Sequence, residues 1–418
     1  MQRFADFAGF QAWLDGLGLF RMELSLGRMR AFREALGRRP SFAVAHVVGT
    51  NGKGSTCAML AGALRASGLK VGLYSSPHFL SLRERVVVDG RTLPESDWRD
   101  LANETARIAA GIDLTYFEFL TALGILAFER AGVAVAVMEA GLGGRFDATN
   151  VFDPALTLFT PIGLDHMGVL GSTLADIARD KADAMRADAP AAAADQPPEA
   201  WAELAARARE IGARLVRARD LVPDAGIEGL SLTLAGAHQR ENARLALAGV
   251  GLLAERLGLR FDPAACRQGI GSAFVPGRMQ FAPGRPGLIL DGAHNEPALV
   301  ALRAALAGLG IRPAGLVFAC LRDKDIGRML PHVLALTDGL VLVPELPGVE
   351  RAWPANALAA RLGARARPVA DAAEALREFA GLDGPVLVCG SLYLLAEVFR
   401  LRPELLEGEG EPETPQNT

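Results

Sequence analysis

Cysteine is scarce and scattered: Cys57, Cys266, Cys320 and Cys389 are the only four in 418 residues, and no two form a Cys-x-x-Cys pair. That excludes a disulfide framework and a cysteine-built zinc site, and leaves reduced, mostly buried thiols. An excess of one charge is also missing, with 44 Lys and Arg against 48 Asp and Glu. A net charge of −4 offers nothing to attract nucleic acid or an anionic membrane. No apolar run is long enough to span a bilayer, and Met1-Gln2-Arg3-Phe4-Ala5-Asp6 is charged early with no apolar stretch behind it. No signal peptide is therefore expected, and the reading is a cytoplasmic, soluble chain. Internal repeats are lacking too. Only six histidines and three tyrosines occur, yet His46, His78, His166, His238 and His294, with Tyr74, Tyr116 and Tyr393, all fall in distinctive polar clusters.

What is present begins at residue 44. The run Val44-Ala45-His46-Val47-Val48-Gly49-Thr50-Asn51-Gly52-Lys53-Gly54-Ser55-Thr56 joins a short apolar segment to a loop of three glycines, a lysine and a Ser-Thr pair. Helical spacing follows through Ala58, Leu60 and Leu64. Strand, glycine-rich loop and helix is the context that a phosphate-binding loop requires. Glycines let backbone N–H groups turn toward phosphate oxygens, the helix start adds positive dipole, and Lys53 adds a full charge. Ser55 or Thr56 offers a hydroxyl to Mg²⁺. One residue, Gly54, separates the lysine from that pair, a departure from the common spacing.

Candidate buried strands at 43–48, 71–74, 133–138 and 156–160 alternate with helices, which predicts a parallel sheet covered on both faces. Residues 187–200, rich in Ala and Pro, read as a low-complexity surface stretch. The Pro- and Gly-punctuated segment 271–287 marks a domain boundary, beyond which strands near 288–290, 315–319, 339–343 and 386–389 build a smaller α/β domain. The expected division is 1–272, 273–402 and a disordered tail over 403–418, acidic and Pro-containing from Glu407.

Three further clusters carry chemistry. Glu139 ends the apolar run 133–138, at the edge where α/β sheets bind ligands; it is either a metal-binding acid or a solvated strand end. A second glycine-rich turn follows, Gly141-Leu142-Gly143-Gly144-Arg145-Phe146-Asp147-Ala148-Thr149-Asn150. Next comes Ile162-Gly163-Leu164-Asp165-His166, whose histidine is a metal ligand or a structural residue, and whose Asp165–Gly168 matches the DxxG of regulatory GTPases. By its own pattern, Lys181 in Leu174–Lys181 is a solvated helix lysine.

Taken in order, these motifs resemble one family. The phosphate loop, Tyr74-Ser75-Ser76-Pro77-His78, Thr115-Tyr116-Phe117-Glu118, Glu139–Asn150, Gly163–His166, Asp180-Lys181-Ala182, His238-Gln239 with Asn242-Ala243, Pro276-Gly277-Arg278-Met279-Gln280, Asp291-Gly292-Ala293-His294-Asn295 and Cys389-Gly390-Ser391 are similar to those of folylpolyglutamate synthase/dihydrofolate synthase, within the Mur ligase superfamily. The resemblance runs to about residue 400. It departs at Glu296, which separates Ala-His-Asn from Pro297, and at Asp180, where the family has Glu.

The resemblance implies a P-loop NTPase-type parallel-sheet domain followed by a smaller Rossmann-like domain. It implies an ATP-dependent ligase that phosphorylates a carboxylate and joins it to the amine of L-glutamate, with two Mg²⁺ ions. Gly49, Thr50, Asn51, Gly52, Lys53, Gly54, Ser55, Thr56, Asn242, Arg278, Asp291 and His294 would serve ATP. Ser55 and Glu139 would hold one Mg²⁺; His166, with Lys181 as a carbamate, would hold the second. Catalytic roles fall to Lys53, His166, Lys181 and Arg278. Ser76, Pro77, His78, Thr115, Phe117, Arg145 and Asp147 would line the acceptor site, with Phe117 stacked on a pterin and Asp147 accepting from its N–H donors. Acceptors would be dihydropteroate and tetrahydrofolate, the bifunctional form being favoured by Gly143–Asn150 apart from Phe146. A monomer without nucleic-acid or membrane partners is expected. The alternatives are a monofunctional folylpolyglutamate synthase, another Mur-type ligase, and a nucleotide-dependent switch, which lacks here an Asn-Lys-x-Asp motif.

Overall fold

Val44, Val47 and Val48 have no face to expose, since the strand they form is buried on both sides. In the computed structural model, which describes residues 2–18 and 23–407, this strand is the interior of an eight-stranded sheet. Its members are β1 (Ala43–Val48), β2 (Val71–Tyr74), β3 (Val86–Val88), β4 (Arg91–Thr92), β5 (Val135–Glu139), β6 (Leu156–Phe159), β7 (Ala191–Ala193) and β8 (Leu215–Arg217). The order is β4-β3-β2-β5-β1-β6-β7-β8. All pairings are parallel except β2 with β3 and β3 with β4. A second sheet holds β9 (Gln280–Ala282), β10 (Leu288–Leu290), β11 (Gly315–Phe318), β12 (Val341–Pro344), β13 (Ala366–Val369) and β14 (Val386–Cys389), ordered β13-β12-β11-β14-β10-β9 with only β9 antiparallel. The architecture is mixed α/β with two parallel-dominated sheets.

Two compact units follow the two sheets: residues 1–232 with 240–273, and 233–239 with 274–418. In the first, the helix Tyr116–Ala131 is apolar nearly all round and buried along most of its length. It lies close to the sheet because Gly72 and Gly124 carry no side chain; a Cβ on Gly72 would sit 2.4 Å from the Phe128 ring. The helix Lys53–Ala66 crosses Pro263–Gly271 at a glycine pair, where a Cβ on Gly62 would be 2.3 Å from the Gly269 carbonyl. In the second unit, Leu299, Leu316, Phe318, Val333, Val343 and Leu358 centre the core.

Several expectations change. Residues 187–200 are not a surface stretch: Ala191–Ala193 form β7, buried between β6 and β8, and Pro198 starts a helix to Ile211. Alanine is a poor strand former, but here the parallel sheet on either side overrides its preference. The hairpin β3–β4 was also not expected, although Asp89 and Gly90, both at positive φ (51° and 81°), carry its turn signal. Pro403–Leu406 form a 3₁₀ turn, Leu405 being buried and its carbonyl accepting from Gln280 Nε2 at 2.6 Å, so that part of the expected tail is folded. Residues 408–418 lie outside the described residues. No described helix is long and apolar enough to cross a membrane.

Candidate active site

β1 ends directly in the phosphate loop. Gly49 (φ +155°) must be glycine, because a Cβ there would fall 1.9 Å from Thr160 Oγ1. Thr50 Oγ1 donates to the Gly163 carbonyl and accepts from the Gly163 amide, both at 3.1 Å, while the Thr50 and Asn51 amides donate to the Pro161 carbonyl. These bonds lay the loop against the segment leading to Asp165 and His166. Gly52, left-handed at φ 88°, opens the helix Lys53–Ala66, and Asn242 closes on it: a Cβ on Gly52 would lie 2.5 Å from Asn242 Oδ1. No side chain caps this helix, so its first-turn N–H groups are free to face an anion. Lys53 Nζ donates to the Gly49 and Thr50 carbonyls at 3.2 and 3.1 Å. Ser55 and Thr56 are buried, and Thr56 Oγ1 has no hydrogen-bond partner.

Glu139 closes β5, level with Val47 of β1, and is 5% exposed. It is not a solvated strand end. Its Oε2 accepts from the Ser76 amide at 3.1 Å, and its carboxylate lies 3.6–3.7 Å from where a Gly54 Cβ would be. Gly54, Glu139 and Ser76 therefore meet at one point, beside Ser55. Among the described residues no three His, Cys, Asp or Glu side chains form a metal cage. One buried carboxylate beside a buried hydroxyl nevertheless fits a hard divalent cation such as Mg²⁺, which takes most of its ligands from water and phosphate. His166 sits at φ 51° with its side chain 41% exposed and Nε2 3.9 Å from Asp165 Oδ2.

Lys181 is the largest departure from the pattern-based reading. It is 3% exposed, because the helix Leu174–Ala182 turns Ile177 and Lys181, four residues apart, to the same buried side. Its Nζ donates to the Gly49 carbonyl at 3.0 Å, the same oxygen that receives Lys53. Burial first, then the Lys53 charge, push the Lys181 amine down to about 7, opposed by Asp180, Asp147 and Asp165. The residue before it clamps the second glycine-rich turn: Asp180 Oδ1 accepts from the Gly144 amide at 2.8 Å, and its carbonyl accepts from the Arg145 amide at 3.0 Å. A Cβ on Gly144 would lie 2.8 Å from the Lys181 backbone. The turn and the lysine are thus in direct contact.

The expected acceptor residues divide between this turn, the start of the helix Tyr116–Ala131 and the segment after β2. Phe117 packs on Gly141, where a Cβ would come 2.5 Å from the ring. Thr115 caps its helix in a reciprocal box with Glu118, and Glu118 is held by Arg28 at 2.8 and 3.1 Å. Asp147 is buried, and burial raises its carboxyl above the ordinary range. Thr149 and Leu142 oppose that shift: Oδ1 accepts from the Thr149 hydroxyl and from its amide (3.0 Å), and Oδ2 from the Leu142 amide (2.8 Å). Arg145 is largely exposed, its guanidinium 5.0 Å from the Phe146 ring centroid and its Nε 3.4 Å from Asp183. Pro77 follows Ser76 through a cis peptide. His78 accepts at Nδ1 from Arg85 Nε (2.8 Å), and burial, then the Arg85 charge, push it down to about 3.

Arg278, Asp291 and His294 belong to the second unit and form their own cluster. Asp291 accepts from the Met279 and Ala293 amides, each at 2.8 Å; burial raises its carboxyl, and the Arg278 charge opposes this. The Arg278 guanidinium covers Gly292, where a Cβ would fall 2.3 Å from Nη1. His294 Nδ1 lies 2.7 Å from the Gly292 carbonyl. The unusual Glu296 is accommodated in the first turn of the helix Glu296–Gly308, where Asn295 is the cap and an acid suits the dipole.

Pattern reading did not single out Asp180, Thr149 or Arg28 as builders of the site. Their partners lie 36, 103 and 90 residues away, and no local spacing signals such contacts. A family model, the Mur ligase glutamate ligase domain, matches residues 277–392. Dihydrofolate synthase/folylpolyglutamate synthase of Escherichia coli K12 is 36% identical over 411 residues, covering 96% of this chain and 96% of the relative. The solved structure of E. coli FolC in complex with DHPP and ADP matches with a TM-score of 0.86 at 33% identity, over 97% of this chain and 99% of that one. The bifunctional folylpolyglutamate synthase/dihydrofolate synthase of Yersinia pestis, complexed with AMPPNP and Mn ion, matches with a TM-score of 0.85 at 33% identity, over 96% and 100%. Phosphate loop, buried lysine and second glycine-rich turn thus stand in a chain that belongs to the dihydrofolate synthase/folylpolyglutamate synthase family of Mur ligases.

Proposed function

We propose that this chain is an ATP-dependent amide ligase that adds L-glutamate to 7,8-dihydropteroate and to the γ-carboxylate of tetrahydrofolates. The observation that carries the reading is the convergence at Lys181. Its amine lies on the phosphate loop, while its backbone touches the turn that carries Asp147 and packs, at Gly141, against Phe117. That contact supports a site in which phosphate chemistry and acceptor recognition adjoin.

The reaction has two steps. An acceptor carboxylate oxygen attacks the γ-phosphorus, ADP leaves, and an acyl phosphate forms. The neutral amine of glutamate then attacks the acyl carbon, phosphate departs, and the new amide nitrogen gives up one proton to solvent. The first step needs alignment and charge neutralisation more than covalent help. The uncapped helix start and Lys53 hold the β- and γ-phosphates, Lys53 exchanging two carbonyl partners for phosphate oxygens. Bound Mg²⁺ supplies charge neutralisation at the transferred phosphoryl. Ser55 and Glu139 are the residues suited to one ion, and His166 with Lys181 to a second.

Lys181 reaches that role as a carbamate: its neutral amine adds CO₂, releases one proton and becomes an anion. An amine with a pKa of about 7 is neutral in a large fraction of molecules at neutral pH, which supports this chemistry. Ser76, Pro77, His78, Thr115, Phe117, Arg145 and Asp147 are assigned to the acceptor, Phe117 as the stacking surface. Gly49, Thr50, Asn51, Gly52, Gly54, Thr56 and Asn242, and in the second unit Arg278, Asp291 and His294, are assigned to nucleotide. The main boundary between the units falls near residue 273, and in this proposal the protein acts as a cytoplasmic monomer.

ADP release measured with each substrate omitted in turn tests the reading. ADP should accumulate only when an acceptor and L-glutamate are both present. Equal ADP release without an acceptor would instead support a nucleotide-dependent switch.

A further inference from the structure

His46 takes no part in the chemistry above, yet it is the one polar side chain on β1 and is completely buried. Its Nε2 lies 2.7 Å from Thr149 Oγ1. Thr149 is fully buried as well, and its hydroxyl reaches Asp147 Oδ1. The protons of this chain can be assigned. A threonine hydroxyl has one hydrogen, and an ionised carboxylate only accepts. Thr149 therefore donates to Asp147 and accepts from His46, which places the ring proton of His46 on Nε2. The ring is neutral, since burial and the Arg186 charge push it down to about 3. Nδ1 is then a bare acceptor, and it has no hydrogen-bond partner.

An apolar residue would fill this place in the sheet without burying an unmatched nitrogen. What histidine adds is the Nε2–H. We propose that His46 is a positioning residue for the acceptor site: it fixes the Thr149 hydroxyl on Asp147 Oδ1, and so holds the turn Gly141–Asn150 in the shape that receives the pterin end of the acceptor. This rests on the assignment of that turn to the acceptor. β1 ends at Val48, two residues beyond His46, and Gly49 opens the phosphate loop, so the strand that leads into that loop is bonded to the turn Gly141–Asn150.

Steady-state kinetics of four single variants and one double variant test the relay, with KM measured for dihydropteroate, tetrahydrofolate and ATP. Glutamine places its amide N–H near the position of Nε2, whereas asparagine reaches only that of Nδ1. His46→Ala and His46→Asn should each raise the acceptor KM about five- to ten-fold, the loss expected for one neutral hydrogen bond, and Thr149→Val, which also removes the donor to Asp147, at least as much, with the KM for ATP nearly unchanged. His46→Gln should restore the acceptor KM, and His46→Ala combined with Thr149→Val should be no worse than Thr149→Val alone. Equal rises in all KM values, or no difference between Gln and Asn, would overturn the relay. If His46→Ala fails to fold, the Gln and Asn pair decides, with circular dichroism as the folding control. Wild-type protein that glutamylates neither acceptor overturns the functional reading together with the relay. Active wild-type protein with unaffected variants overturns the relay alone.

Discussion

Gly144→Ala probes the junction between the acceptor-side turn and Lys181. The added methyl would sit 2.8 Å from both the Cα and the carbonyl oxygen of Lys181, with the Asp180 carbonyl at 3.1 Å. All three are backbone atoms of a helix end, so no flexible tip can swing aside. Ordinary contact begins near 3.4 Å, so the turn must lift by about 0.6 Å (3.4 minus 2.8). Lifting it stretches and weakens the 2.8 Å bond from the Gly144 amide to Asp180. Overpacking of this kind costs about 1–3 kcal/mol, which for a unit of this size lowers Tm by several degrees. Activity should suffer more. In the proposed mechanism Lys181 serves the shared phosphoryl transfer, and a displacement on the order of 1 Å costs up to about a hundred-fold in rate. Turnover should therefore fall about ten- to a hundred-fold with both acceptors, while the KM for ATP changes little. Thermal unfolding and steady-state assays on the same preparation measure both effects. A variant with normal turnover and normal Tm would refute the contact between the turn and Lys181.

The remaining predictions concern single charges. Lys181→Met should stabilise the protein at low pH in CO₂-depleted buffer without nucleotide. The unfolded lysine keeps its proton to 10.5 and the folded one only to about 7. Unfolding between those values takes up a proton, so stability rises with pH and the full burial cost, about 5 kcal/mol, applies below pH 7. The gain from Lys181→Met should thus shrink by about 3 kcal/mol between pH 6 and 9.5, and a gain independent of pH would contradict the buried amine. Lys53→Ala should raise the barrier to turnover by about 2–4 kcal/mol without unfolding the chain; near-normal turnover would remove Lys53 from the mechanism. Asp147→Ala should depress glutamylation of dihydropteroate about ten- to a hundred-fold and that of tetrahydrofolate much less, equal losses meaning a shared or structural role.

The sequence made the sheets legible where their strands are apolar and β-branched. Val44–Val48, Val71–Tyr74 and Val386–Cys389 announce themselves, because a strand buried on both faces needs such residues. Ala191–Ala193 does not, since nothing in three alanines distinguishes a buried strand from a surface loop. The phosphate loop was equally plain, because its chemistry is written in consecutive residues. Lys181 was not: one lysine in an amphipathic helix reads as solvated, and its burial follows from the four-residue spacing to Ile177 and from a carbonyl 132 residues away. Asp180 is similar. Its acidity is visible in sequence, but its grip on Gly144 exists only after the chain has folded.

The most direct test of the account is ATP-dependent incorporation of labelled L-glutamate into dihydropteroate and into tetrahydrofolate, run in parallel on the wild-type chain. The account predicts one glutamate added to dihydropteroate and extension of tetrahydrofolate, each with one ADP formed per amide bond. Incorporation into neither acceptor, with ATP and a divalent cation present, would contradict it; extension of tetrahydrofolate alone would show the chain to be monofunctional.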